Sequence, residues 1–216
     1  MIVVVTGTGT EVGKTWFTAA TADALRADGH GVAARKPVQS FDADDPHPKD
    51  SEVLARATGE DPAVVCPPHR WLAQAVAPPM AATALGLEPF TIADLATEVR
   101  AVAPPDDAVV FVEGAGGARS PLAADGDTVA LAHSLAADAI VIVADAGLGT
   151  INAVRLTVAA LASWTPLVAL NRFDENDPLH VANRDWLRDR DGYDVVTDPA
   201  QLAAALTRRG SLRARP

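Results

Sequence analysis

Ile2-Val3-Val4-Val5 runs into Gly7-Thr8-Gly9-Thr10-Glu11-Val12-Gly13-Lys14-Thr15, and an amphipathic helical pattern follows. Strand, glycine-rich turn and helix in that order make a phosphate cradle. Backbone N–H groups of the turn converge on phosphate oxygens, and the helix N-terminus adds partial positive charge. Lys14 can reach the terminal phosphates while the Thr15 hydroxyl faces a magnesium ion. The usual pattern sets four residues between its two glycines; here Gly7 and Gly13 enclose five. A nucleoside triphosphate is the expected ligand.

Outward from this motif, apolar β-branched runs recur at residues 2–6, 31–35, 108–112, 139–144, 166–170 and 193–196. They are nearly continuous rather than alternating, as expected of strands buried on both faces of a parallel sheet. Helical patterns fill the intervals at 14–27, 51–58, 92–102, 128–136, 151–163, 179–189 and 199–208. Thr91 with Asp94, and Asp127, read as helix N-caps. Alternating strands and helices predict a doubly wound α/β/α sandwich of the P-loop type, with ligands at the carboxyl ends of the strands. Five prolines between 62 and 79 argue against a long helix there and for an ordered surface loop.

The chain has 216 residues. That length suits one domain, residues 1–216, able to bury roughly 70% of its unfolded surface. A net charge of −10 disfavours a nucleic-acid surface, which needs clustered Lys and Arg. The basic cluster Arg208, Arg209, Arg213 and Arg215 reads as a solvated, frayed tail over 208–216. No apolar run is long enough for a signal peptide or a membrane span, so a cytoplasmic location is expected. Cys66 is the sole cysteine and reads as a small buried hydrophobe. The five histidines show no metal-ligand spacing.

Further polar clusters fall at strand ends. Lys36 and Ser40 follow the second strand, although a lysine there is as readily a solvated one. Glu113-Gly114-Ala115-Gly116-Gly117 follows the strand over 108–112 and reads as a carboxylate on a glycine-rich turn, placed to hold magnesium through oxygen. Asp50 is a second oxygen donor, and taken alone it reads as a helix N-cap. Gly147-Leu148-Gly149-Thr150-Ile151-Asn152 opens a helix, where it could take a substrate carboxylate or simply cap. Asp145 reads as a loop acid. Asn171, followed by Arg172, could hydrogen-bond a base edge.

These segments, with Asp50-Ser51-Glu52 and Val76-Ala77-Pro78-Pro79-Met80, stand together in an order that resembles the dethiobiotin synthetases, a P-loop family. The resemblance spans about residues 1–171. It implies ATP- and magnesium-dependent ring closure of 7,8-diaminononanoate with carbon dioxide, through a carbamate and a carbamic-phosphoric anhydride, in biotin biosynthesis. Glu11, Val12, Gly13, Lys14, Thr15, Asp50, Glu113, Gly114, Ala115, Gly116, Asn171 and Arg172 would then hold the nucleotide. Thr15, Asp50 and Glu113 would hold magnesium, and Lys14 would stabilise the transferring phosphoryl group. Lys36 would bind the carbamate, with Thr10 and Ser40 at the diamine. Gly149, Thr150, Ile151 and Asn152 would meet the substrate carboxylate across a homodimer interface. Phe41 stands where the family usually has glycine, which keeps a paralogue acting on another amine as an alternative. Partition ATPases of the same superfamily carry a lysine where this chain has Gly9.

Overall fold

The computed structural model describes residues 1–104 and 107–213. In chain order, the first half comprises β1 (Ile2–Gly7), α1 (Lys14–Ala27), β2 (Val32–Arg35), β3 (Gln39–Ser40), α2 (Asp50–Thr58), α3 (Pro62–Val65), β4 (Trp71–Leu72), α4 (Pro78–Ala84) and α5 (Ile92–Ala101). The second half comprises β5 (Val109–Gly117), β6 (Pro121–Ala123), β7 (Gly126–Asp127), α6 (Thr128–Leu135), β8 (Ala139–Asp145), α7 (Thr150–Ala160), β9 (Leu167–Asn171), α8 (Pro178–Asp185), β10 (Asp194–Val196) and α9 (Pro199–Arg213).

Six strands form one parallel sheet in the order β10-β9-β8-β1-β5-β2. β1 lies between β5 and β8, pairing Val4 with Val112 on one side and with Ile140 on the other. Period-two alternation sends Val3 and Val5 into a core with Phe17, Leu25, Leu54 and Leu206, under α1, α2 and α9. Val4 faces the opposite core, with Leu95, Val99, Leu131 and Leu135 of α5 and α6. Each fully buried Leu or Phe contributes roughly 1.5–3 kcal/mol, so both cores clamp β1. The turn after β1 is thereby anchored at the carboxyl rim of the sheet. The expected α/β/α sandwich is the observed one.

Several local expectations change. Residues 113–117 do not leave the sheet as a turn: β5 continues to Gly117, with a register shift against β1 between Val5 and Gly7. Glu113 is therefore a strand residue opposite Val5, held by ladder hydrogen bonds rather than carried on a mobile loop. The proline-rich stretch is not one loop. Pro62 opens α3, and Pro78 and Pro79 occupy the first positions of α4, where a missing N–H costs nothing. The pattern at 179–189 divides into α8 and a π-helical turn over Trp186–Arg190. α9 runs on to Arg213 instead of fraying from 208: Arg209 donates to the Thr165 carbonyl at 3.0 Å and reaches the Asp194 carboxylate at 3.4 Å. The end of the expected tail, with Arg215, lies outside the described residues. No helix among the described residues is long and apolar enough to cross a membrane.

Candidate active site

The phosphate loop is held from both sides. Thr8 N donates to Val143 O at 3.0 Å, Asn171 Nδ2 donates to Val12 O at 3.0 Å, and Arg172 Nη2 donates to Glu11 O at 3.0 Å. Glu11 and Gly13 have φ of 60° and 86°. Gly13 cannot be exchanged, because a Cβ there would lie 2.0 Å from Asn171 Nδ2 and would also need the left-handed backbone region. Gly13→Ala should therefore displace either the loop or Asn171, lowering the thermal midpoint and weakening nucleotide binding at least tenfold in a calorimetric titration. Wild-type affinity in that variant would mean the loop adapts freely.

α1 begins at Lys14. The Lys14 side chain is buried, with its ammonium 3.3 Å from Gly9 O. Burial lowers its pKa, and Glu113 opposes that only in part. An ammonium so desolvated gains more than a surface one from an anionic ligand.

Next to it, three separate elements deliver one charged cluster. Lys36 follows β2, Asp50 opens α2 and Glu113 sits inside β5. Lys36 Nζ lies 2.7 Å from Asp50 Oδ2, 2.8 Å from Glu113 Oε1 and 3.1 Å from Gly114 O. Burial alone would depress the Lys36 pKa, but Asp50 and Glu113 outweigh it and raise the pKa above the usual lysine range. The same lysine holds Asp50 below the usual carboxylate range, against its own desolvation. The strand-end lysine is thus buried rather than solvated. Asp50 is not the N-cap either: that position is Lys49, whose backbone N–H donates to Glu52 Oε2 at 2.7 Å.

The oxygen chemistry of the cluster suits a divalent cation. Thr15 has one hydroxyl proton, yet its Oγ1 lies 2.8 Å from both Asp50 Oδ1 and Glu113 Oε1. It can donate to only one of them at a time. Glu113 Oε2 is buried without a hydrogen-bond partner. Two carboxylates and a hydroxyl, to be completed by phosphate oxygens, form a donor set for magnesium. No group of three or more His, Cys, Asp or Glu among the described residues forms a metal cage by itself.

Thr10, Glu11, Gly13, Lys14, Thr15, Lys36, Ser40, Asp50, Ala115, Gly116 and Arg172 all line one cavity of about 1140 Å³. Val12 and Asn171 support its floor from behind, and Gly114 contributes a carbonyl to Lys36. One of the two Asn171 amide N–H donors is used on the loop carbonyl, a role its position in sequence did not suggest. Gly149, Thr150, Ile151 and Asn152 lie outside this cavity, at the start of α7 beside the 92% exposed Leu148.

A family model described as an AAA domain matches residues 2–196. The protein named ATP-dependent dethiobiotin synthetase BioD from Anaeromyxobacter dehalogenans is 37% identical over 97% of this chain and 96% of its own length. Its namesake from Haloferax mediterranei is 37% identical over 90% of this chain and 82% of its own, and that from Rhodococcus jostii is 43% identical over 75% and 68%. The chain belongs to the dethiobiotin synthetase family.

Within this family member the structure adds groups that sequence reasoning passed over. Gln39 and Ser51 exchange two buried hydrogen bonds, Gln39 Nε2 to Ser51 Oγ at 2.9 Å and Ser51 N to Gln39 Oε1 at 3.1 Å. They fix the start of α2 and hence Asp50. Ser120 Oγ accepts from Gly117 N at 2.9 Å and lines the cavity. Asp145 is no free loop acid: it ends β8 and pairs with Arg172 at 2.7 Å. The Arg172 hydrogen bond, aided by the Gly147 N–H, holds the Asp145 pKa below the usual carboxylate range. A carboxylate titration by NMR should give Asp145 a midpoint below that of an unperturbed aspartate, moving up in Arg172→Ala. An unchanged midpoint in the variant would break the assigned contact.

Proposed function

We propose that this chain is an ATP-dependent dethiobiotin synthetase, closing the cyclic urea of 7,8-diaminononanoate with carbon dioxide. The observation that carries the reading is the meeting of Lys14, Thr15, Lys36, Asp50 and Glu113 in one cavity in a chain of this family. One amine of the substrate takes up carbon dioxide and releases a proton, forming a carbamate. A carbamate oxygen attacks the γ-phosphorus, and ADP leaves. The second amine then attacks the carbonyl carbon of the carbamic-phosphoric anhydride, and phosphate leaves as the ring closes. Phosphoryl transfer of this kind needs positioning and cationic stabilisation rather than a protein nucleophile.

The proposed roles are these. Lys14 and the phosphate-loop N–H groups hold the β- and γ-phosphates. Thr15, Asp50 and Glu113 would hold magnesium, which would supply positive charge to offset that of the triphosphate. Lys36 has three N–H donors, and its three acceptors here are Asp50, Glu113 and Gly114 O. Lys36 lines the cavity beside these carboxylates, where its ammonium would donate to a carbamate oxygen. Without metal or nucleotide, Asp50 and Glu113 hold Lys36 in its charged form, raising its pKa above the usual lysine range. Thr10 and Ser40 contact the diamine, and Arg172, anchored by Asp145, sits at the nucleotide side. The position of Gly149 to Asn152 outside the chain's own cavity supports a homodimer in which they complete the partner's site.

Incubation with the diamine, bicarbonate, magnesium and each nucleotide in turn tests the reading. Phosphate release coupled one-to-one to a product of dethiobiotin mass is expected. Phosphate release that ignores the diamine would replace it with a partition-type ATPase. Phe41, which lines the cavity, favours a second reading, a different amine substrate; activity with another diamine alone would establish that one.

A further inference from the structure

The cavity is lined by four permanent cations, Lys14, Lys36, Lys49 and Arg172. Lys14 belongs to the phosphate loop. Lys36 is neutralised by Asp50 and Glu113, and Arg172 by Asp145. Lys49, the fourth, has neither a phosphate-loop position nor a carboxylate within ion-pair distance among the described residues. Its ammonium rests 4.9 Å from the Phe41 ring centroid and 5.8 Å from that of Trp71. Ring faces hold a cation in place without cancelling its charge. Asp42 and Asp45, which also line the cavity, are turned into their own loop: Asp42 Oδ1 accepts from Asp44 N at 3.0 Å, and Asp45 Oδ1 meets His47 Nδ1 at 2.6 Å.

The placement of Lys49 is unfavourable for folding. It occupies the N-cap of α2, where an acceptor side chain is preferred and the helix dipole opposes a positive charge. A cation held over two rings and facing a cavity is placed to receive a ligand. The ligand group must be an anion. Phe41, Ala75, Val76 and Pro78 give the same cavity an apolar stretch of wall, which suits a methylene chain rather than a triphosphate.

We propose that Lys49 is a specificity-determining residue that receives the carboxylate of the substrate within the same chain; this rests on the reading of the substrate as 7,8-diaminononanoate. Contact with Gly149 to Asn152 of a second subunit is compatible with it, since a carboxylate offers two oxygens with about four lone-pair sites. The methylene chain then lies along Phe41 and Val76, and the two amines point back towards Ser40 and Lys36.

The test compares two substrates in one enzyme. 2,3-Diaminooctane has the same vicinal diamine and alkyl chain without the carboxylate. Wild-type protein should prefer the diamino acid in kcat/KM, and Lys49→Gln should shrink that preference about tenfold. Lys49→Arg should restore most of it. An equal loss on both substrates would overturn the proposal in favour of packing against Phe41 and Trp71. A preference left intact while KM for ATP rises would overturn it in favour of a phosphate contact. Wild-type protein that closes a ring on neither diamine would overturn the functional reading itself, and the proposal with it; the variant outcomes overturn the proposal alone.

Discussion

Replacing Lys36 by methionine should lower turnover by about a hundred- to a thousandfold, the loss seen when one charge-stabilising donor leaves a preorganised site. Nucleotide affinity should stay within about a factor of ten. The two effects separate because Lys36 does not touch the phosphate loop: its contacts are Asp50, Glu113 and Gly114 O. Lys14, at the start of α1, is the residue whose removal should cost nucleotide binding. The apo-protein should suffer as well. The Lys36 and Glu113 side chains are 3% and 0% exposed, and removing one partner of a buried pair costs about 3–5 kcal/mol. The thermal midpoint without ligands should fall, and magnesium with nucleotide should recover part of it by supplying another cation to the carboxylates. Calorimetric nucleotide titration beside steady-state turnover checks both halves. A loss of nucleotide affinity matching that of Lys14→Ala would remove Lys36 from its assigned place at the carbamate.

The fold was legible wherever a local pattern is also the global one. β1 reads as a buried strand because Val3, Val4 and Val5 must each find an apolar neighbour on one face of the sheet or the other, and they do. α1 begins at Lys14, as the glycine-rich turn required. Failures came where a residue's meaning depends on its neighbours in space. Glycines at 114, 116 and 117 signal a turn locally, yet β1 supplies ladder partners that keep β5 extended to Gly117. At Gly114 a Cβ would fall 2.3 Å from Thr128 Oγ1, so glycine there answers to helix packing rather than to a bend. Pro78 and Pro79 break helices only from inside them, and their place at the start of α4 cannot be seen without knowing where that helix begins.

The candidate site divides in the same way. Lys14 and Thr15 were readable from contiguous spacing. Lys36, Asp50 and Glu113 were readable as strand-end and helix-end charges, but each had a plainer alternative, and only their mutual distances of 2.7–2.8 Å remove it. Gln39 and Ser51 left no signal, because two neutral polar residues twelve positions apart become a clamp only when β3 meets α2. Lys49 left a weak one, a basic residue where a helix prefers an acceptor.

Glu113→Gln should separate the charge of this residue from its shape. Glutamine keeps the length and an oxygen able to accept from Lys36 and Thr15, so the apo-fold should change little in outline. It removes a carboxylate whose second oxygen is buried without a partner. That oxygen, next to a hydroxyl already crowded by two carboxylates at 2.8 Å, is the strongest reason to place a divalent cation here. The apparent magnesium affinity in the presence of ATP should weaken roughly tenfold to a hundredfold, and turnover at saturating magnesium should still fall because Lys36 loses part of its electrostatic support. The direct measurement is the shift in thermal midpoint as magnesium is added with ATP, since a ligand stabilises the folded state by RT ln(1 + [L]/Kd). In wild-type protein the midpoint should climb at low magnesium; in the variant the same climb should need about ten times more. A variant whose magnesium curve overlies that of wild type would take Glu113 out of the metal shell, leaving Thr15 and Asp50 with the phosphate oxygens as the remaining donors. Its place opposite Lys36 would then be purely that of a counter-charge, and the loss of turnover in Lys36→Met would have to be explained without any metal shared between them.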